Sequence, residues 1–94
     1  MDVLDEVYDV IKDRKEHPKA GSYVSSLYAD KKGIDKTLEK IGEESTEVII
    51  AAKNGGEAEI VYESADLIFH LMVMLAAKDI PFQKVRDELQ RRRH

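Results

Sequence analysis

Apolar positions recur along this chain three and four residues apart, and nowhere in the strict alternation of a half-buried strand, so the pattern predicts helices throughout. Val3, Leu4, Val7, Val10 and Ile11 trace one face of a first helix. It follows a cap at Asp2 and runs to about Glu16, where His17-Pro18 stops it. Lys19 to Ser22 reads as a loop, and Tyr23 to Ala29 as a short turn of helix. Gly33-Ile34-Asp35 opens a second long helix with Asp35 as the expected N-cap. That helix runs to Lys53, and Asn54-Gly55-Gly56 ends it. A third covers about Glu57 to Lys78. Pro81 is expected in the first turn of a terminal helix carrying Phe82, Val85 and Leu89, with Arg91-Arg92-Arg93-His94 as a frayed, solvated end. The expectation is all-α: one domain over residues 1–94, a small bundle of four to five helices.

Acids interrupt the pattern in two places, as Glu43, Glu44 and Glu47 on the second long helix and Glu63 and Asp66 on the third. Three- and four-residue spacing puts each pair on one face, with β-carbons roughly 5–6 Å apart. At about 100° per residue, with Glu44 at zero, Ala51, Val48, Ile41, Ala52 and Leu38 span an apolar arc from roughly −20° to +120°. Glu44 lies inside the edge of that arc, whereas Glu47 and Glu43 step away toward solvent. Lys40 falls within one turn of both Glu43 and Glu44. On the third helix Glu59, Glu63, Asp66 and His70 form a narrow polar line on a segment that is apolar nearly all round from Leu67 onward. Such a helix is more than a 94-residue monomer covers easily, which predicts a second copy.

One acid pair alone is an ordinary solvated helix face. Two pairs at the edges of apolar arcs on adjacent helices are not, because carboxylates this close resist ionisation unless a cation neutralises them. Mg²⁺, or Mn²⁺ in its place, prefers oxygen ligands and commonly bridges to phosphates. His70 on its own reads as a hydrogen-bonded core histidine or, one turn after Asp66, as a partner that orients that carboxylate. A net charge of −4, from 19 acidic and 15 basic residues, argues against a nucleic-acid interface. No cysteine is present for thiolate or disulfide chemistry. Ser22 has no His–Asp partnership near it that would make a triad. The acidic start lacks a signal-peptide pattern, and the apolar run Leu67 to Ala77 is short of a membrane span, so the expectation is a cytoplasmic protein with no membrane partner. On these grounds the readings are a carboxylate metal site that handles a phosphate-bearing small molecule and a helical dimerisation module whose acids are merely solvated. A di-iron bundle would want Glu-x-x-His pairs, and Asp66 stands where such a pair after Glu63 would need His.

The run Lys40-Ile41-Gly42-Glu43-Glu44-Ser45-Thr46-Glu47-Val48-Ile49-Ile50-Ala51-Ala52-Lys53, followed by Glu63-Ser64-Ala65-Asp66-Leu67-Ile68-Phe69-His70, resembles the phosphoribosyl-ATP pyrophosphatases of histidine biosynthesis. Gly21-Ser22-Tyr23-Val24 is similar to that family's Gly-Ser-Tyr-Thr segment, with Val24 where Thr is usual. The acid motif alone is shared with the wider MazG-like nucleotide pyrophosphatases, which act on other nucleotides. The resemblance implies Mg²⁺-dependent hydrolysis of the α–β phosphoanhydride of phosphoribosyl-ATP to phosphoribosyl-AMP and pyrophosphate. It implies a MazG-like all-α homodimer with Glu44, Glu47, Glu63 and Asp66 as metal ligands. It further implies Glu43 or Glu47 as catalytic base, and substrate contacts from Ser22, Tyr23, Lys40, Lys53 and His70.

Overall fold

The computed structural model describes residues 2–93, which form five helices and, among the described residues, no strand. They are α1 (Val3–Glu16), α2 (Tyr23–Tyr28), α3 (Ile34–Asn54), α4 (Glu57–Ala77) and α5 (Gln83–Arg91). Capping explains most boundaries. The Asp2 side chain accepts from the Asp5 amide and starts α1, and the Ser22 hydroxyl accepts from the Ser25 amide and starts α2. Asp35 is not the cap of α3. Asp30 instead takes the Lys32 amide at 2.9 Å in a tight turn, and Gly33, at φ 61°, is the cap residue, a backbone region glycine enters at no steric cost. Asp35 is left in the first turn, where its charge still favours the helix N-terminus. The terminal helix also begins later than Pro81. Pro81 and Phe82 form a turn whose carbonyls accept from Lys84 and Val85, and Phe82 caps α5. Arg91 is the last helical residue and pairs with Glu88, while His94 lies outside the described residues.

α3 and α4 form a hairpin joined only by Gly55 and Gly56, and each is 21 residues long. α1 packs across α4, and α2 bridges α1 and α3. The core lies at the C-terminal half of α4: Met72, Val73 and Ala76 meet Ile11 of α1 and Val24 and Leu27 of α2. Val24 faces this core, so a threonine hydroxyl there would point into apolar packing. Tyr28 crosses the core to donate to the Val73 carbonyl at 2.7 Å, and burial pushes its phenol up to about 12. α4 ends in a Schellman arrangement, with Ile80 N–H on the Leu75 carbonyl and Asp79 in the left-handed region; Lys15 ties it to α1 through the Ala76 carbonyl and Asp79. Tyr8 on the Ile80 carbonyl and Arg86 on Asp2 hold the α5 end against α1.

α3 adds little to this core. Its fully buried residues are Thr37, Glu44 and Ala51, seven apart, so its inward stripe carries no large apolar side chain. Leu38 and Ala52, expected on the apolar arc, are exposed, Leu38 by 45%. Ile49, Ile50, Val61 and Tyr62 are also more than half exposed. By length and composition α4 alone among the described helices could cross a membrane, which the shorter apolar run seen in the sequence understates. Its buried residues His70, Met72, Val73 and Ala76 contribute to packing within the chain.

Met72 is 1% exposed at the centre of the core, so Met72→Ala should cost about 2–5 kcal/mol through lost burial and the cavity left behind. Urea unfolding should show a lower midpoint with little change in slope; an unchanged midpoint would contradict this placement of the core.

Candidate active site

The two-glycine turn sets the register of the hairpin. Glu47 and Glu63 lie equally far from Gly55, eight residues before and after it, and Glu44 and Asp66 lie eleven before and after. In an antiparallel pair of helices, residues equidistant from the turn lie at the same height, and those on the facing sides meet. The four carboxylates accordingly converge: each offers an oxygen within 4.8 Å of the others'. Glu44 sits deepest, 3% exposed; Glu63 and Asp66 are half-buried, and Glu47 is at the rim.

This group is short of cations. Lys40 reaches Glu43 at 3.2 Å but Glu44 only at 3.7 Å. Glu44 Oε2 and Glu63 Oε1 are buried with no hydrogen-bond partner among the described residues. Loss of water around Glu44, followed by the nearby Asp66 and Glu47, pushes its carboxyl from the usual 4.5 up to about 7. Glu63 is raised as well, first by burial and then by Glu47. Buried carboxylate oxygens are expensive to leave unpaired. An all-oxygen set of four acids with two unpartnered oxygens fits a hard divalent cation, and softer metals would want nitrogen or sulfur.

Glu43 is exposed and turned to Lys40, outside the group of four. His70 also lies near Glu44 and Asp66, but both ring nitrogens are engaged. Nδ1 is 2.8 Å from the Asp66 carbonyl and 3.5 Å from Asp66 Oδ1, and Nε2 is 2.8 Å from the Tyr23 hydroxyl. Tyr23 stacks on Phe69, a contact between neighbouring helices that the apolar pattern alone does not reveal. Lys53 is exposed in the last turn of α3 and makes no ion pair among the described residues. Ser22 spends its hydroxyl on capping α2. Two open grooves flank the seam. One, of about 440 Å³, is lined by Glu47, Ile50, Glu59, Tyr62 and Glu63; the other, of about 420 Å³, is apolar and has Asp66 at its edge.

Residues 4–93 match a family model described as phosphoribosyl-ATP pyrophosphohydrolase. A phosphoribosyl-ATP pyrophosphatase of Methanocella arvoryzae is 74% identical over 92 residues, covering 98% of this chain and 97% of the relative. One of Methanococcoides burtonii is 56% identical, covering 100% of this chain and 95% of the relative. The histidine biosynthesis bifunctional protein HisIE of Caldanaerobacter subterraneus is 51% identical over 98% of this chain, which spans 44% of that longer protein.

The raised Glu44 and Glu63 carboxyls give metal-free stability a definite pH sign. Each holds its proton more tightly folded than unfolded, so the stability it allows is full below about 4.5 and is lost as pH rises through the folded value, about 7 for Glu44. Asp2, Asp79 and Glu88 are shifted downward, so they act in the opposite sense only in more acid solution. In EDTA, the melting temperature should fall by several degrees between about pH 5.5 and pH 7.5, and Glu44→Gln should remove most of that fall. A flat or rising melting temperature across that window would contradict the buried, unneutralised carboxyl.

Proposed function

The chain belongs to the phosphoribosyl-ATP pyrophosphohydrolase family, and on that premise we propose that it hydrolyses the α–β phosphoanhydride of phosphoribosyl-ATP, releasing phosphoribosyl-AMP and pyrophosphate at the second step of histidine biosynthesis. One observation carries the assignment of the site. Four carboxylates from two helices meet around two buried oxygens that have no hydrogen-bond partner among the described residues. Glu44, Glu47, Glu63 and Asp66 would hold Mg²⁺, with Mn²⁺ as a substitute. Bound there, the cation neutralises charge on the acids and on the substrate phosphates and lowers the pKa of bound water.

The residues divide the remaining work. Glu44, the most buried, fixes the floor of the site, and Glu47 and Glu63 face the groove through which a triphosphate chain can enter. A rim glutamate takes the proton of the attacking water. Glu47 is the rim member of the group of four; Glu43 stands outside that group beside Lys40, free of ligand duty. Lys40, partly exposed at the edge of the seam, meets phosphate charge, and Lys53 can reach it only from the far end of α3. Ser22 and Val24, as placed here, serve helix capping and the core.

The exposed apolar residues on α3 and α4 support a homodimer. The radius of gyration is 14.3 Å, against about 12 Å for a compact domain of this length, so the single chain is open enough to need a partner. The protein is soluble and cytoplasmic in this reading, since a second copy covers the apolar side of α4 that a bilayer would otherwise attract. Light scattering should give a dimer mass; a monodisperse monomer would contradict this.

Pyrophosphate release should require Mg²⁺, stop in EDTA, and occur from phosphoribosyl-ATP but not from ATP or dNTP controls. Release from those controls at comparable rates would move the chain to another branch of nucleotide pyrophosphatases. Asp66→Ala should lower kcat/KM at least about a hundredfold. With Glu43 as base, Glu43→Gln should lose about 10²–10⁴ in rate while keeping cation affinity; Glu47→Gln, at a cation ligand, should weaken cation binding as well. Wild-type turnover in Asp66→Ala at saturating Mg²⁺ would show the ligand assignment to be wrong.

A further inference from the structure

His70 is 2% exposed, and each of its ring nitrogens has a partner. The Asp66 carbonyl can only accept, so Nδ1 carries the hydrogen, and the same N–H lies 3.5 Å from the Asp66 carboxylate. In the neutral ring this leaves the Nε2 lone pair, and the Tyr23 O–H fills it at 2.8 Å. Burial, against the pull of Lys40, raises the Tyr23 phenol, which keeps it a donor. Ring packing fixes the geometry on two further sides, with Tyr23 and Phe69 both edge-on to His70 and stacked on each other. Neither nitrogen is free for a metal or a substrate phosphate. Deep burial of a polar ring between the acid seam and the apolar core must serve a neighbour, and the neighbour it touches is Asp66.

We propose that Tyr23 and His70 are positioning residues: the Asp66 carbonyl sets the His70 tautomer, the Tyr23 hydroxyl anchors the far side of the ring, and the ring so held confines the Asp66 carboxylate of the four-acid group, 3.5 Å from Nδ1. The inference rests on Asp66 serving as a cation ligand. It gives α2 a role beyond packing, because this short helix supplies the hydroxyl that anchors Nε2 of the imidazole on α4. The Nδ1 hydrogen goes to the Asp66 backbone carbonyl, and the carboxylate 3.5 Å away meets the same fixed donor edge of the ring, which favours one orientation before a cation arrives. Without the Tyr23 donor, the ring loses its anchor at Nε2 and can tilt, and Asp66 loses its lateral support.

Mn²⁺ binding to the metal-free protein, followed by electron paramagnetic resonance without substrate, tests this directly. Tyr23→Phe keeps the ring that stacks on Phe69 and deletes only the hydroxyl. It should weaken Mn²⁺ binding about tenfold or more while the metal-free melting temperature moves little. His70→Asn retains an N–H near the Nδ1 position and should bind Mn²⁺ more tightly than His70→Leu. Wild-type Mn²⁺ affinity in Tyr23→Phe would overturn the proposal, and if joined to a higher KM for phosphoribosyl-ATP it would assign Tyr23 to the substrate instead. Failure of the unmodified protein to bind Mn²⁺ would overturn the metal site itself, a separate and distinguishable result.

Discussion

A carboxylate buried in a helix seam without a cation governs this molecule. α3 faces inward with Thr37, Glu44 and Ala51, and places Glu44 where a bundle would ordinarily carry leucine. α4 answers with Glu63 and Asp66, and Lys40, the cation paired with this group among the described residues, leans toward the exposed Glu43. The folded chain therefore holds electrostatic repulsion at its most closely packed helix pair, and it offsets this with apolar packing elsewhere, around Met72 and Val73. Strain held at a site and compensated by the rest of the fold is characteristic of functional regions. A divalent cation held there, as proposed, would convert that repulsion into attraction and stabilise the packing of α3 on α4.

Register is the second constraint, and it follows from the turn. With only Gly55 and Gly56 between the helices, residues equidistant from the bend lie level, and the acids on the facing sides are spaced to use this twice. Inserting one residue at the bend would rotate one pair away from the other. The stable core lies at the opposite end of α4, where α1 and α2 clamp it; between core and acids sits the Tyr23–His70–Asp66 chain of contacts. Rigid packing is thus transmitted to a group of charges that would otherwise drift apart.

Much of this was legible in the residues. Three- and four-residue spacing identified every helix, and the angle of Glu44 relative to Ala51 and Val48 predicted an acid at the edge of the buried face. Its full burial exceeded that expectation, because α4 covers the edge. A wheel gives the angle of a side chain but not what lies across from it, which is why Leu38 and Ala52, apolar by pattern, prove exposed in the single chain. Asp35 looked like a cap by composition, yet the cap was decided by the Asp30 turn and the positive φ of Gly33, which no periodicity encodes. His70 showed only its distance from Asp66. Its link to Tyr23 spans 47 positions and could come only from the fold.

Whether Glu44 and its neighbours require a cation is tested most directly by thermal melting of the metal-free protein at about pH 7.5 with increasing Mg²⁺. Ligand that binds only the folded state raises the melting temperature with concentration. The unmodified protein should gain several degrees on addition of Mg²⁺, whereas Glu44→Gln should melt higher without metal and gain little from it. A melting curve of the unmodified protein indifferent to both Mg²⁺ and Mn²⁺ would contradict the central claim.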